Sequence, residues 1–299
     1  MAESVFPWAY RDGVLIPYEQ LNIHAESMAM RYALSVFEGV RGYLQHDKQT
    51  VCYFALDEHL ERLSQTLALT KLPALMLSEV ESVATQLLDA NNVHVDCYLR
   101  IAVNATSLGT LKDPVCTELF ATIKPMGRKI WLASGTGMSV SISQRRKPSD
   151  EVFPQRAKVI CNYAGPRLAY LDTFSHGFDE VILKSSEGLL SEAPTANLFL
   201  ILDGCVVTPR LQDGILGGIT REYVMRLCQT LGWQVEERGL TPEDASRATE
   251  AFLCGTAIEL APIYQFDDHP LPRNQQLFPR LVEAYFNLVR GLPIHGGLE

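Results

Sequence analysis

Three residues in the middle of the chain have side chains that could together hold and activate a cofactor. Lys158 lies between Ala157 and Val159, and burial among such apolar neighbours lowers a lysine pKa and makes the nucleophilic neutral amine accessible. Tyr163 follows shortly after, and Glu192 ends a strand-like run just before a Pro-Thr-Ala turn. An amine can hold an aldehyde, a phenol can bond a ring oxygen, and a carboxylate can keep a pyridine nitrogen protonated. These are the groups that a pyridoxal phosphate site requires.

Each of these residues taken alone has a simpler interpretation. A lysine between apolar residues usually extends its ammonium to water, and a glutamate before a turn is usually a solvated loop residue. The combination is more specific, because the chain resembles the class IV aminotransferases and, among them, most closely the branched-chain amino-acid aminotransferases. The resemblance is carried by Lys158, Asn162-Tyr163, His176-Gly177 with the acidic pair that follows, and Ser191-Glu192 before Asn197-Leu198-Phe199.

The resemblance implies a two-domain, fold-type-IV architecture of the α/β class, with pyridoxal 5′-phosphate bound between the domains. We expect an N-terminal α/β domain at residues 1–125 and a linker at 126–136, where glycines accumulate after a proline. A C-terminal α/β domain at 137–299 would then carry Lys158. The sequence pattern by itself indicates only a mixture of helices and strands, α+β in the broad sense.

The composition is typical of a globular protein. The 299 residues are 47% hydrophobic and 20% charged, and the net charge of −9 argues against a nucleic-acid partner. The longest apolar run, residues 198–207, is interrupted by Asp203 and is too short to span a membrane, and we recognise no secretory signal. The seven cysteines are scattered without a CxxC pair, so we expect reduced thiols, a cytoplasmic location and no metal site.

Local patterns predict the elements that position these residues. Hairpins are expected at residues 5–16, 179–192 and 197–208, each between apolar runs that are joined by turn residues. Asp57 is expected to cap one helix, and Ser78 to open a capping box at the start of the next.

Three stretches, around Arg62, at residues 214–221 and at residues 255–257, resemble the cofactor-binding segments of the family. Arg62 matches a phosphate-binding arginine, although by spacing alone an exposed ion pair with Asp57, Glu58 or Glu61 is the simpler interpretation. Residues 214–221 are glycine-rich and open a helix, whose N-terminal amides can bind phosphate, but glycines there are also common without a ligand. The resemblance implies cofactor contacts at Arg62, Lys158, Tyr163, Glu192, Leu216, Gly218, Ile219, Thr220 and Thr256, with Lys158 as the catalytic residue.

Two further segments resemble the substrate-binding parts of the family. Residues 36–41 read Val-Phe-Glu-Gly-Val-Arg, and by resemblance Phe37 and the preceding Tyr32 would line the substrate pocket, with Arg41 near its mouth. Alternation places Tyr98 and Arg100 on one face of a strand, where an arginine beside a tyrosine suits a carboxylate. The turn residues Thr256 and Ala257 would meet the substrate carboxylate through backbone amides.

The chain also departs from the family pattern. Ala196 stands where a glutamate is usual, and the loop at residues 104–113 contains only one glycine, Gly109, where a glycine-rich loop is usual. These departures affect substrate identity more than cofactor or reaction. Three adjacent cations, Arg145, Arg146 and Lys147, could suggest an anion site, but we interpret them as a solvated loop.

The resemblance therefore implies transfer of an amino group from an L-amino acid, branched-chain or similarly apolar, to 2-oxoglutarate by a homodimer or a higher homo-oligomer. Alternatives within the class are a D-amino-acid aminotransferase, an (R)-selective amine aminotransferase and aminodeoxychorismate lyase. A non-catalytic relative that binds a ligand is a hypothesis of another kind. Retention of Lys158, Tyr163 and Glu192 argues against it, because a binding module has no need of that set.

Overall fold

The computed structural model describes residues 5–129, 131–132 and 135–294, and its contacts divide the chain into two compact units. The first unit comprises the residues up to Gly127 together with Ala157–Asn162, and the second comprises Arg128–Arg156 and the residues from Tyr163 onward. The segment Ala157–Asn162, which we expected in the C-terminal domain, clusters with the N-terminal unit. The division with a linker at 126–136 stays a prediction, and residues 130, 133 and 134 of that stretch lie outside the described residues.

The first unit is built on an antiparallel sheet with three helices. Its strands follow the order β2-β1-β6-β5-β3-β4. The strands are β1 (Trp8–Arg11), β2 (Val14–Pro17), β3 (Ser35–Leu44), β4 (Val51–Tyr53), β5 (Cys97–Ala105) and β6 (Thr117–Pro125), and the helices are α1 (Met28–Tyr32), α2 (Leu56–Leu69) and α3 (Leu77–Ala90).

The local predictions for the first unit are partly confirmed. The hairpin of β1 and β2 turns at Asp12 and Gly13, both at positive φ, which is the conformation that Asp-Gly favours in a two-residue turn. Asp57 does not cap α2, because that helix begins at Leu56 after Ala55 in a left-handed conformation, so Asp57 lies inside the first turn. The expected capping box at Ser78 was also wrong, since α3 begins at Leu77 without a side-chain cap.

The second unit contains a larger, mixed sheet in the order β12-β11-β10-β13-β14-β7-β8, with β9 paired to β10 and β15 to β14. The strands are β7 (Met138–Arg146), β8 (Glu180–Lys184), β9 (Glu192–Ala193), β10 (Ala196–Leu202), β11 (Cys205–Thr208), β12 (Val235–Glu237), β13 (Glu250–Gly255), β14 (Glu259–Phe266) and β15 (His269–Pro270). The helices are α4 (Ala164–Phe174), α5 (Ile219–Thr230), α6 (Pro242–Arg247) and α7 (Leu277–Val289).

The strand registers of the second unit decide where Glu192 lies. The hairpin expected at 197–208 is confirmed by β10 and β11, which turn at Asp203-Gly204. The hairpin expected at 179–192 is confirmed in part: the chain turns at residues 185–188, and Lys184 meets Leu190 at an antiparallel bridge. Glu192, however, pairs with Asn197 across β9 and β10. This short pairing fixes Glu192 at the edge of a buried strand.

None of the described helices is long and apolar enough to cross a membrane. Within the same residues, no group of three or more His, Cys, Asp or Glu side chains is arranged to hold a metal ion.

Candidate active site

Lys158 is held in the first unit by its backbone. Its carbonyl accepts a hydrogen bond of 3.0 Å from the Phe37 amide, and its own amide donates to Thr66 Oγ1 at 3.3 Å. A bridge between Val36 and Val159 extends this attachment to β3. The side chain is half-buried. Strand β3 and helix α2 therefore anchor the residue from two sides, while its amine extends from a fixed base.

Two cations lie over the ring of Phe37. The Lys158 Nζ is 4.8 Å from the ring centroid, and the guanidinium carbon of Arg100 is 4.1 Å from it. Phe37 is buried, whereas Arg100 is exposed, and the register of β3 and β5 places Arg100 opposite Gly39. The structure thus brings together three residues that the sequence assigned to catalysis and substrate binding.

Tyr98 lies across Gly39, and this contact requires the glycine. A Cβ at position 39 would be 1.8 Å from the Tyr98 hydroxyl oxygen, so any larger residue would displace the ring. The Lys124 amine lies 5.9 Å from the Tyr98 ring centroid. The glycine in the Val-Phe-Glu-Gly-Val-Arg segment therefore makes room for a side chain from the neighbouring strand.

The other two substrate candidates of this unit have different surroundings. Arg41 is buried, donates from Nη2 to the Gly127 carbonyl at 3.3 Å, and lies 5.4 Å from the Tyr43 ring centroid. Its expected place near the mouth of a pocket stays a prediction. Tyr32 is half-buried at the end of α1, with Arg31 over its ring at 5.2 Å.

Arg62 pairs with Glu38, a partner that spacing along the helix did not suggest. Arg62 Nε and Nη2 donate to the two carboxylate oxygens of Glu38 at 2.7 and 2.9 Å, and His59 Nδ1 lies 2.8 Å from the same carboxylate. Glu38 is fully buried and the Arg62 side chain is 12% exposed. Sequence reasoning missed this acid because it lies on β3, 24 residues before Arg62 in the chain.

Glu192, in the second unit, is surrounded by three donors. Lys147 Nζ lies 2.5 Å from Oε1, while Oε2 accepts from Asn197 Nδ2 and from the Leu216 amide, both at 3.0 Å. The Lys147 and Glu192 side chains are only 9% and 10% exposed. This near-buried carboxylate is oriented by fixed partners, as a group that must hold a proton on a ligand nitrogen needs to be.

The interpretation of residues 145–147 as a solvated loop was wrong for Lys147. Arg145 and Arg146 are exposed as expected, but they end strand β7 and do not lie in a loop. Arg145 pairs with the exposed Asp172, and Arg146 donates to the Ser186 carbonyl. Lys147 instead turns inward beside Glu192. No local signal distinguishes it from its neighbours, because its partner is 45 residues away and is brought near by the alignment of β7 and β8.

The glycine-rich stretch opens α5 as expected. Gly218 precedes the helix without a side-chain cap, and the Ile219 and Thr220 side chains are buried in its first turn. A Cβ at Gly218 would lie 1.9 Å from Asn197 Oδ1, so the glycine permits close approach of the residue that also contacts Glu192 and the Leu216 carbonyl. A helix start of this kind presents backbone amides to an anion.

The remaining candidates lie at turns of the second unit. Thr256 and Ala257 are half-buried between β13 and β14, whose ends pair Gly255 with Glu259. Tyr163 ends a 3₁₀ turn, Ile160–Tyr163, directly before α4 and is also half-buried.

Each unit contains groups that fit parts of pyridoxal phosphate. The first unit supplies a half-buried lysine amine and a half-buried arginine, and the second supplies an uncapped helix start next to an oriented carboxylate. An amine, a cation, backbone amides and a carboxylate match the aldehyde, phosphate and ring nitrogen of the cofactor. Groups of these kinds are the ones that pyridoxal-phosphate enzymes use.

Comparison with known proteins identifies the family within that class. Residues 35–266 match the model of the class IV amino-transferases, and the chain belongs to this family, which uses pyridoxal phosphate. A probable branched-chain-amino-acid aminotransferase of Aquifex aeolicus is 29% identical over 95% of this chain and 93% of its own.

Solved structures agree with this assignment. A branched-chain aminotransferase from Thermoproteus uzoniensis, crystallised with norvaline, is 27% identical, with a TM-score of 0.90 and coverage of 96% of this chain and 95% of that one. A second branched-chain amino acid aminotransferase, solved as a complex with N-(5′-phosphopyridoxyl)-L-glutamate, is 27% identical, with a TM-score of 0.87 and the same coverage. The chain is an aminotransferase with the two-domain α/β fold of these enzymes.

Proposed function

We propose that this aminotransferase moves an amino group between branched-chain or similar apolar L-amino acids and 2-oxoglutarate. The observation that carries the proposal is the arrangement around Phe37, where an apolar ring adjoins both the Lys158 amine and the exposed Arg100 guanidinium. An apolar surface suits a branched side chain, and an arginine suits the second carboxylate of glutamate or 2-oxoglutarate. The names of the relatives and the norvaline and glutamate complexes of the neighbours support this choice.

The roles of the residues follow from their chemistry. The bound cofactor supplies an electron sink that stabilises negative charge at the substrate Cα. Lys158 Nζ would hold the cofactor and, once released, take the proton from that carbon and return it. Glu192 would hold a proton at the pyridine nitrogen, and Tyr163 would donate to the ring oxygen.

Phosphate and substrate binding complete the proposal. Arg62 and the start of α5, with Thr220, would bind the phosphate together with Thr256. Tyr32, Phe37 and Tyr98 would form the apolar walls, while Thr256 and Ala257 would present amides to the substrate α-carboxylate. Arg100 is our first candidate for the distal carboxylate and Arg41 the second.

The proposal includes a homodimer or a higher homo-oligomer, as the resemblance implies. Apolar side chains on one face of α4 support an association surface, because Leu168, Leu171 and Phe174 are 48, 43 and 59% exposed in the single chain. Light scattering on the purified protein measures the oligomeric state.

Replacement of Lys158 by alanine tests the assignment. The unmodified protein should show the visible absorbance of a lysine-bound cofactor and should transfer the amino group of L-leucine. Lys158→Ala should lose that band and reduce turnover by more than the roughly 10²–10⁴-fold of acid–base catalysis alone, because the residue has two roles. The matched control is Lys48→Ala, which removes an exposed lysine from the turn between β3 and β4 and should change neither property.

Two outcomes would contradict the proposal. Near-normal turnover by Lys158→Ala would remove the lysine from catalysis. Greater activity of the unmodified protein on D-alanine or on an (R)-amine than on L-leucine would move the assignment to another activity of the class.

A further inference from the structure

A buried polar cluster of Glu38, His59 and Arg62 lies between β3 and α2, and the proposed reaction gives a role only to Arg62. The exposed fractions of the Glu38 and His59 side chains are 0% and 2%. The two side chains contact each other, and Glu38 also pairs with Arg62. Glu38 accepts from Arg62 Nε through Oε1 at 2.7 Å and from Arg62 Nη2 through Oε2 at 2.9 Å. This is a two-point, side-on pair, which fixes the plane of the guanidinium as well as its position.

The charges of the cluster follow from its surroundings. Burial alone raises the pKa of the Glu38 carboxyl, but the Arg62 guanidinium and the His59 hydrogen bond lower it more, so the pKa is well below its ordinary value. Burial lowers the pKa of His59 against the opposing effect of Glu38. Glu38 is therefore ionised and His59 neutral. Because a carboxylate only accepts hydrogen bonds, the proton of neutral His59 is on Nδ1, which donates to Glu38 at 2.8 Å.

Stability alone does not account for such a pair. Well-packed apolar residues of similar volume often replace a buried ion pair without loss of stability, because desolvation of the charges offsets their attraction. An arginine side chain, however, has many rotamers, and two-point pairing restricts it before a ligand arrives. The expected gain is orientation of the guanidinium.

We propose that Glu38 is a positioning residue for binding of the cofactor phosphate. The Glu38 carboxylate holds the Arg62 guanidinium by its Nε and Nη2, and His59 fixes the carboxylate from the other side. The inference rests on the proposed function, in which Arg62 binds that phosphate. Glu38 itself does not touch the cofactor. Its contribution is to hold the planar Arg62 guanidinium in one orientation, so that phosphate binding requires no ordering of the side chain. This gives a role to the acid in the Val-Phe-Glu-Gly-Val-Arg segment.

The test compares two ligands that differ only in the phosphate. Cofactor-free protein is titrated with pyridoxal 5′-phosphate and, separately, with pyridoxal, and each dissociation constant is measured from the absorbance of the bound aldehyde. Glu38→Gln keeps the shape of the side chain and removes its charge. It should weaken the binding of pyridoxal phosphate by about 10- to 100-fold, which corresponds to one charge-assisted hydrogen bond between Arg62 and the phosphate. The binding of pyridoxal should be unchanged.

A matched control tests whether the effect depends on the buried Glu38 carboxylate or on loss of any negative charge near Arg62. Glu61→Gln removes an exposed carboxylate next to Arg62 in sequence on the same helix, and it should leave both dissociation constants unchanged. Equal weakening of both ligands in Glu38→Gln, or an unchanged constant for pyridoxal phosphate, would overturn the proposal.

A second pair of variants covers the case in which Glu38→Gln does not fold, since it leaves Arg62 without its buried counter-charge. Arg62→Met and the double variant Glu38→Gln/Arg62→Met should have the same preference for pyridoxal phosphate over pyridoxal, because Glu38 acts only through Arg62. A further loss of preference in the double variant would overturn the inference. If the unmodified protein binds the two ligands equally, the phosphate assignment of Arg62 has failed, which is distinct from failure of Glu38 in a protein that prefers the phosphorylated ligand.

Discussion

Replacing Lys147 with methionine tests whether the Glu192 carboxylate depends on its near-buried cation. The two groups are 2.5 Å apart, and their side chains are 9% and 10% exposed. The variant leaves the carboxylate with two neutral donors, Asn197 Nδ2 and the Leu216 amide. Removing one partner of a buried ion pair costs about 3–5 kcal/mol. Because the two retained hydrogen bonds still stabilise the charge, we expect the free energy of unfolding to fall by about 2–3 kcal/mol.

Urea unfolding of the cofactor-free protein at neutral pH measures this loss. The control is Arg145→Met, which removes a cation two residues away whose partner, Asp172, is exposed; the two side chains are 51% and 59% exposed. An exposed pair of this kind contributes about 1 kcal/mol or less. The double variant Lys147→Met/Glu192→Gln removes both charges and should be less destabilised than Lys147→Met alone. A loss in Lys147→Met no larger than that in Arg145→Met would refute the reasoning.

Two further predictions concern substrate choice and pH. Arg100→Leu should weaken glutamate as amino donor about 10- to 100-fold more than leucine, because only glutamate has a distal carboxylate; half-reaction rates measure this, and equal losses would mean that Arg100 binds the α-carboxylate or is structural. Burial raises the pKa of Glu180 from 4.5 to about 7, against a lowering hydrogen bond from the Val181 amide. As pH rises, Glu180 therefore loses its proton at a lower pH in the unfolded chain than in the folded protein. The free energy of unfolding should fall between about pH 4.5 and 7 by at most about 3 kcal/mol. Urea unfolding at pH 5 and 8 should show a smaller fall in the free energy of unfolding for Glu180→Gln than for the unmodified protein. An equal fall in both would contradict the assignment.

Local chemistry made part of the fold predictable from the sequence. Asp12-Gly13 and Asp203-Gly204 adopt positive φ in two-residue turns, so their residue types alone indicated the hairpins. Thr241 and Pro242 likewise begin α6, where the Thr241 side chain accepts from the Asp244 amide. In these cases the determining interactions lie within a few residues along the chain.

The interactions that the sequence did not reveal join distant segments. Lys147 and Glu192 are 45 residues apart, and Glu38 and Arg62 are 24 apart. Which of several similar cations turns inward depends on strand register, which is set by the packing of the whole sheet. The partner of Glu192 was missed for the same reason, because Glu192 pairs with Asn197 of β10 and not with β8. Resemblance located the candidate residues, but their partners required three-dimensional positions.

The two backbone hydrogen bonds of Lys158, to the Phe37 amide and to Thr66 Oγ1, have a consequence for the speed at which its amine can move. With the main chain fixed to β3 and α2, the range of Nζ is set by the side-chain torsions alone. Torsions of exposed side chains change in picoseconds to nanoseconds, whereas loop motions take nanoseconds to microseconds. A lysine that alternates between holding a ligand and carrying a proton can therefore do both without waiting for the main chain to rearrange.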